Sequence, residues 1–123
     1  MKYLLLFRNG CFSFFRLSDG EIKDLLEKVG LKDAADKKFG KYSLGMKQRL
    51  GIAAAIMGSP EIVLLDEPIN AIDGEGVEQI RQLILGLRDE NRVVLVACHD
   101  KEEMQLLADD IICMQQGRIV EKG

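Results

Sequence analysis

The chain has 123 residues, 47% of them hydrophobic, enough apolar material for one folded unit with its own core. Its net charge of -3 and pI near 5.2 leave no overall field to gather nucleic-acid phosphates, so bulk DNA or RNA binding is not expected. Three cysteines, Cys11, Cys98 and Cys113, form an odd set without metal-ligand spacing; this predicts a reduced chain without a zinc site, and no apolar run is long enough to span a membrane.

Residues 1–17 carry five of the seven aromatics (Tyr3, Phe7, Phe12, Phe14 and Phe15), without a clean helical or alternating period. The run from Tyr3 to Phe7 is cut by Arg8 and Asn9, too soon for a secretory leader. From Ser18 the signals sharpen. Ser18 and Glu21 fit a capping box, Ile22, Leu25, Leu26 and Val29 share one helical face, and Gly30 supplies the stop. A lysine-rich connection over 32–41 is the one sign of a subdomain seam. Between Lys32 and Arg49, six basic residues face two acidic ones, a local excess of +4 that suits either a solvated face or a phosphate-attracting patch.

Met46 to Met57 reads as a helix with Ser43 as its N-cap, and the Ala53–Ala55 run permits close approach of another element. Gly58-Ser59-Pro60 breaks it. Glu61 to Asp66 is a continuous apolar run bounded by turn residues, as expected of a strand buried on both faces in a parallel sheet. Val77, Ile80, Leu83, Ile84 and Leu87 repeat at helical spacing, with Asp73 as a candidate N-cap. Val93 to Ala97 gives a second apolar strand, His99 is left at the turn after it, and Asp100 with Glu103 makes a further capping box. Ile111 to Met114 reads as a third strand, turned by Gln116-Gly117 into Arg118-Ile119-Val120. The order β-α-β-α-β predicts an open α/β sheet with flanking helices.

Ligands of such sheets bind beyond the carboxyl ends of the strands, where Asp66, Glu67 and His99 all fall. An apolar strand ending in two adjacent carboxylates is costly without chemistry to use them. Asp66 suits Mg²⁺ held through water, because magnesium takes oxygen ligands and keeps much of its hydration shell. Glu67 suits the orientation or deprotonation of an attacking water, and His99 a hydrogen bond to a phosphate oxygen or that water. Ser43 and Gly45 open a helix whose free N–H groups form an anion site. Taken singly, Ser43 and Asp73 are ordinary caps and His99 an ordinary capping or core histidine. Their linked order raises them.

Read in series, Tyr42-Ser43-Leu44-Gly45-Met46-Lys47-Gln48-Arg49, Ile62 to Pro68, Asn70-Ala71-Ile72-Asp73 and His99 resemble the signature, Walker B, D-loop and switch-histidine motifs of ABC transporter ATPases, over residues 20–123. The first of these resembles the branch whose ATPases drive export of drugs, bacteriocins or antimicrobial peptides. The resemblance implies that Ser43, Leu44, Gly45 and Met46 bind the γ-phosphate of ATP held by the opposite subunit of a head-to-tail dimer. It likewise implies Mg²⁺ at Asp66, the attacking water at Glu67, the γ-phosphate at His99, and a dimer-interface role for Asp73. Leu44, Met46, Ile69 and Ala71 depart from the common family residues, with altered affinity the expected result.

No Gly-x-x-x-x-Gly-Lys-Ser/Thr occurs, nor a recognisable adenine-stacking loop or Q-loop glutamine. The expected fold is therefore a partial P-loop NTPase: residues 1–59 as part of the helical subdomain with the signature motif, residues 60–123 as the C-terminal half of the ATPase core, and the Walker A strand absent. By family topology that strand lies between the His99 strand and the Ile111 strand, so a gap is expected there. Helix is the family expectation for Tyr3–Phe7, with insertion of this segment into the gap as the alternative. The expected function is a truncated ATP-binding subunit of an exporter, using ATP and Mg²⁺, working with a second ATPase subunit and a membrane permease at the cytoplasmic face, and inactive alone. A non-catalytic half-domain docking on an intact ATPase is the second reading. An SMC-like DNA-repair ATPase is the third, opposed by the single short helix before the signature where those proteins place long coiled coils.

Overall fold

A computed structural model describes residues 3–8, 11–70, 72, 74–88 and 91–122. Two strands, β1 (Tyr3–Arg8) and β2 (Cys11–Arg16), open the chain as an antiparallel hairpin, with Tyr3 opposite Arg16 and Arg8 opposite Cys11. The helix expected for this segment is not formed, and the hairpin is not inserted into the main sheet. Asn9-Gly10 between two aromatic-rich runs is a strong short-range hairpin signal, and aromatic residues favour a pleated surface.

Helix α1 (Asp19–Lys28) begins as its sequence predicts. The Ser18 hydroxyl accepts from the Glu21 N–H at 3.3 Å, and the Glu21 carboxylate accepts from the Ser18 N–H at 2.8 Å. Gly30, at φ 70°, follows the C-cap Val29 and turns the chain away. Two single 3-10 turns, Lys32–Ala34 and Phe39–Lys41, carry the lysine-rich connection. Helix α2 (Leu44–Ile56) then starts at Ser43, whose Oγ accepts from the Met46 N–H at 3.2 Å. Gly58 and Ser59, both at positive φ, end it.

Strand β3 (Ile62–Asp66) and strand β4 (Val93–Ala97) pair in parallel, Ile62 with Val93 and Asp66 with Ala97, and helix α3 (Glu75–Leu87) is the crossover between them. Gly74 occupies the N-cap of α3; Asp73, the cap expected from sequence, lies outside the described residues, as does Ala71. Helix α4 (Lys101–Leu107) follows, capped by Asp100, and strands β5 (Ile112–Gln115) and β6 (Arg118–Lys122) form a closing hairpin. Gln116 and Gly117 both have positive φ, the backbone of a tight hairpin turn.

The core is the layer between the sheet and the helices. Ile80 and Leu87 of α3, Val63 of β3 and Leu31 beside α1 are fully buried, and Ile52 and Ile56 of α2, Leu65 of β3 and Val29 are buried with them. Among the described residues parallel pairing is confined to β3–β4. Among the described residues no ladder joins β4 to β5, so the sheet is interrupted where the missing strand was expected. No described helix is long and apolar enough to cross a membrane.

Candidate functional site

The chain turns sharply after β3. Alternation places Asp66 on the exposed face with Ile62 and Leu64. Glu67, at φ 46°, leaves the strand in the left-handed region that a glutamate rarely adopts, a conformation that costs energy and persists only where its surroundings hold it. Two backbone hydrogen bonds do so: the Glu67 N–H donates to the Ala97 carbonyl at 2.8 Å, and the Asn70 N–H donates to the Glu67 carbonyl at 3.2 Å. The first ties the end of β3 to the end of β4, two residues before His99.

This geometry brings the Glu67 carboxylate against the imidazole. Nδ1 of His99 lies 2.9 Å from Oε1 and 3.0 Å from Oε2 of Glu67. The hydrogen bond to Glu67, then the charge of that carboxylate, and last the charge of Asp100 raise the His99 pKa above its ordinary value, against a smaller opposing effect of desolvation. The imidazole is mostly open to solvent (74%) while the Glu67 side chain is half-buried (33%), so the pair offers an accessible ring on an anchored carboxylate.

A cavity of about 200 Å³ is lined by Glu67, Asn70, Ile72, Cys98, His99 and Glu103, among others. Asp100 is occupied as a cap, its Oδ1 accepting from the N–H groups of Glu102 at 2.9 Å and Glu103 at 3.1 Å. The reciprocal half of the expected capping box is not made. The Glu103 carboxylate instead binds the Arg81 guanidinium, Nη2 to Oε1 at 2.7 Å and Nε to Oε2 at 3.2 Å, pinning α4 onto α3.

Ser43, Leu44, Gly45 and Met46 do not line this cavity. They reach it indirectly through Ile72, which does: a Cβ on Gly45 would meet the Ile72 Cγ2 at 4.0 Å, and one on Gly76 at 2.8 Å. The side chain of Ile72 thus fits between the first turns of α2 and α3. Upstream, the Tyr42 hydroxyl donates to the Ala34 carbonyl at 2.8 Å, and Lys47 lies over the Phe39 ring at 5.1 Å, so the signature-like segment is tied back to the lysine-rich connection. Neither Ile72 nor Glu103 stood out in the sequence as a site residue. An aliphatic residue in a loop has no chemical signal, and Glu103 was taken up by the capping reading.

Asp66 is exposed at the same rim, and no three His, Cys, Asp or Glu side chains among the described residues cluster to chelate a metal. One carboxylate plus water fits a largely hydrated magnesium ion and does not fit a cation needing an all-protein cage.

Comparisons with known proteins show the family. The family model described as ABC transporter matches residues 5–70, more than half of the chain; it takes in Ser43 to Met46, Asp66 and Glu67, and stops short of His99. The bacitracin transport ATP-binding protein of Enterococcus faecalis is 45% identical over 107 residues, 86% of this chain and 35% of its own length. The lantibiotic transport ATP-binding protein of Streptococcus pyogenes is 38% identical over 85% of this chain and 45% of its own length. Among solved structures, an ATP-binding cassette of an ABC transporter in its ADP conformation overlays 90% of this chain and 44% of its own, with TM-score 0.77 and 24% identity, a likeness of fold. A Clostridium perfringens protein, cbiO1, part of an ABC transporter complex, overlays 88% of this chain and 45% of its own, with TM-score 0.75 and 28% identity. The chain thus spans less than half the length of these relatives.

Proposed function

Since the chain belongs to the ABC transporter family, we propose that it supplies part of an ATP-hydrolysing site that drives export of peptide antibiotics or similar compounds. The observation that carries this reading is the Glu67–His99 contact at the carboxyl ends of adjacent parallel strands. In it, Glu67 takes up the proton of, or orients, the attacking water, and His99 hydrogen-bonds the γ-phosphate. Asp66 would hold Mg²⁺ through water, and the ion, when bound, would neutralise charge on the phosphates.

Ser43, Leu44, Gly45 and Met46 meet the γ-phosphate of ATP held by a second ATPase subunit in a head-to-tail dimer. The exposed start of α2, with Leu44 48% open to solvent, leaves that approach free. Asp73 lies beside this interface in sequence and is assigned to it on the family motif alone. Residues 1–59 serve as the helical subdomain and residues 60–123 as the catalytic core. The protein works at the cytoplasmic face, held there by a permease partner.

With no phosphate-binding glycine-lysine loop in its sequence, the isolated chain turns over ATP poorly. The test is ATP turnover by the purified chain, alone and mixed with an intact ATPase of the family. Negligible turnover alone and altered turnover in the mixture support the reading. Fast turnover alone, abolished by Glu67→Gln, would overturn the first point; no binding and no effect on the intact ATPase would overturn the second.

A further inference from the structure

The cavity that holds the Glu67–His99 contact is lined by two further acidic residues, Asp100 and Glu103, and by a single imidazole. A free carboxylate in this space would compete with Glu67 for His99 and repel a phosphate. Asp100 is committed, since its Oδ1 accepts from the N–H groups of Glu102 and Glu103. Glu103 has a choice of partners. It stands on the first turn of α4, and its nearest one along the chain is the Asp100 N–H, the reciprocal half of a capping box.

That local partner is refused. The Asp100 N–H donates to the Cys98 Sγ at 3.4 Å, a weak acceptor. Glu103 turns to α3, where Arg81 grips both of its oxygens, Nη2 on Oε1 at 2.7 Å and Nε on Oε2 at 3.2 Å. Such a fork fixes the carboxylate and is roughly twice as strong as a neutral pair of the same kind. The two side chains are 19% and 17% exposed, so water screens them little. Arg81 also contacts Glu78 on its own helix, a carboxylate 52% exposed. The hydrogen bond and charge of Glu67, then the charge of Asp100, raise the His99 pKa, and Glu103 is not among the causes although it lines the same cavity.

We propose that Arg81 is a positioning residue: it holds Glu103 away from the turn after β4, leaving Glu67 as the one cavity carboxylate that engages His99. The charged groups around the imidazole are then Glu67 from the end of β3, Asp100 on its own turn, and Glu103 from α4 neutralised by Arg81 from α3. For a phosphate, whose presence rests on the function proposed above, this keeps a second negative charge from the place it would occupy.

The test is NMR of the full chain, in which His99 is the only histidine. Arg81→Gln releases Glu103, and two signals are expected to move together. The Asp100 amide proton shifts downfield as a carboxylate replaces the thiol as its acceptor, and the His99 titration midpoint rises. Both return to their wild-type positions when Glu103→Ala is added to Arg81→Gln. Glu78→Gln, which removes the other carboxylate on Arg81, moves neither. Arg81→Lys keeps the charge but cannot grip two oxygens in one plane, so it separates release of Glu103 from simple loss of a cation. Both movements are expected in it at smaller size, and it makes the test should Arg81→Gln misfold. A His99 midpoint that stays or falls, an Asp100 amide that does not move, or shifts that persist with Glu103→Ala would each overturn the proposal. None of these signals involves ATP, so failure of the turnover test leaves the role of Arg81 standing, and failure here leaves the hydrolysis reading to its own test.

Discussion

Glu67 and His99 stand 32 residues apart in sequence and in hydrogen-bond contact in space, with Nδ1 2.9 Å and 3.0 Å from the two carboxylate oxygens. The contact exists because β3 and β4 end level, at Asp66 and Ala97, and because Glu67 takes a left-handed backbone that aims its side chain across the strand ends.

The protein has one histidine, so its imidazole signals in NMR report this contact without overlap. Glu67 raises the His99 pKa. A group whose folded pKa is raised contributes stability that is fully present below its unfolded value, roughly 6.5, and lost as pH rises through the folded value. The expected titration midpoint therefore lies above that of an ordinary histidine and falls back in Glu67→Gln. Equal midpoints in the two proteins would mean that the pair does not form in solution.

Two glycines of α3 should respond oppositely to alanine. Gly86 has open space where a Cβ would go, so Gly86→Ala is expected to stabilise the helix by about 0.5–1 kcal/mol. A Cβ on Gly76 would stand 2.8 Å from the Ile72 methyl, so Gly76→Ala must displace Ile72 and is expected to lose that gain. Denaturant midpoints compare the two, and a shift of the Ile72 methyl resonances only in Gly76→Ala checks the cause.

Two neutral side-chain hydrogen bonds help to hold the signature-like segment. Ser43→Ala removes the acceptor for the Met46 N–H and is expected to cost about 1 kcal/mol. Tyr42→Phe removes the hydroxyl that donates to the Ala34 carbonyl, also for about 1 kcal/mol. The two residues adjoin and share one segment, so the double variant should cost less or more than the sum; additive urea midpoints would show that the segment is not one unit.

Burial separates the two faces of the sheet layer. Ile80 is fully buried against the core, and Ile80→Ala is expected to cost about 2–5 kcal/mol. Leu64 is 70% exposed, and Leu64→Ser is expected to change stability by no more than about 0.5 kcal/mol. A large loss at Leu64 in urea unfolding would show that the bare face is covered.

Much of the molecule is decided by residues within one helical turn of each other, and that part is legible in the sequence. Ser18 with Glu21, Ser43 and Asp100 act through hydrogen bonds spanning two or three residues, and Gly30 through its own φ, so helix starts and stops are fixed locally. The continuous apolar run of β3 ending in Asp66 and Glu67 likewise announces a strand with carboxylates at its rim, and the order of motifs announces the family; burial on both faces, expected from that run, is not met, since only Val63 and Leu65 are buried while Ile62 and Leu64 are exposed. Pairing between distant segments has no such local record. Whether residues 3–16 coil or fold back as a hairpin, whether Glu103 completes a cap or binds Arg81, and whether Ile72 wedges between α2 and α3 depend on which partner stands nearest in space. Tertiary structure alone decided those, because each trades one satisfied contact for another of similar energy, and only packing selects between them.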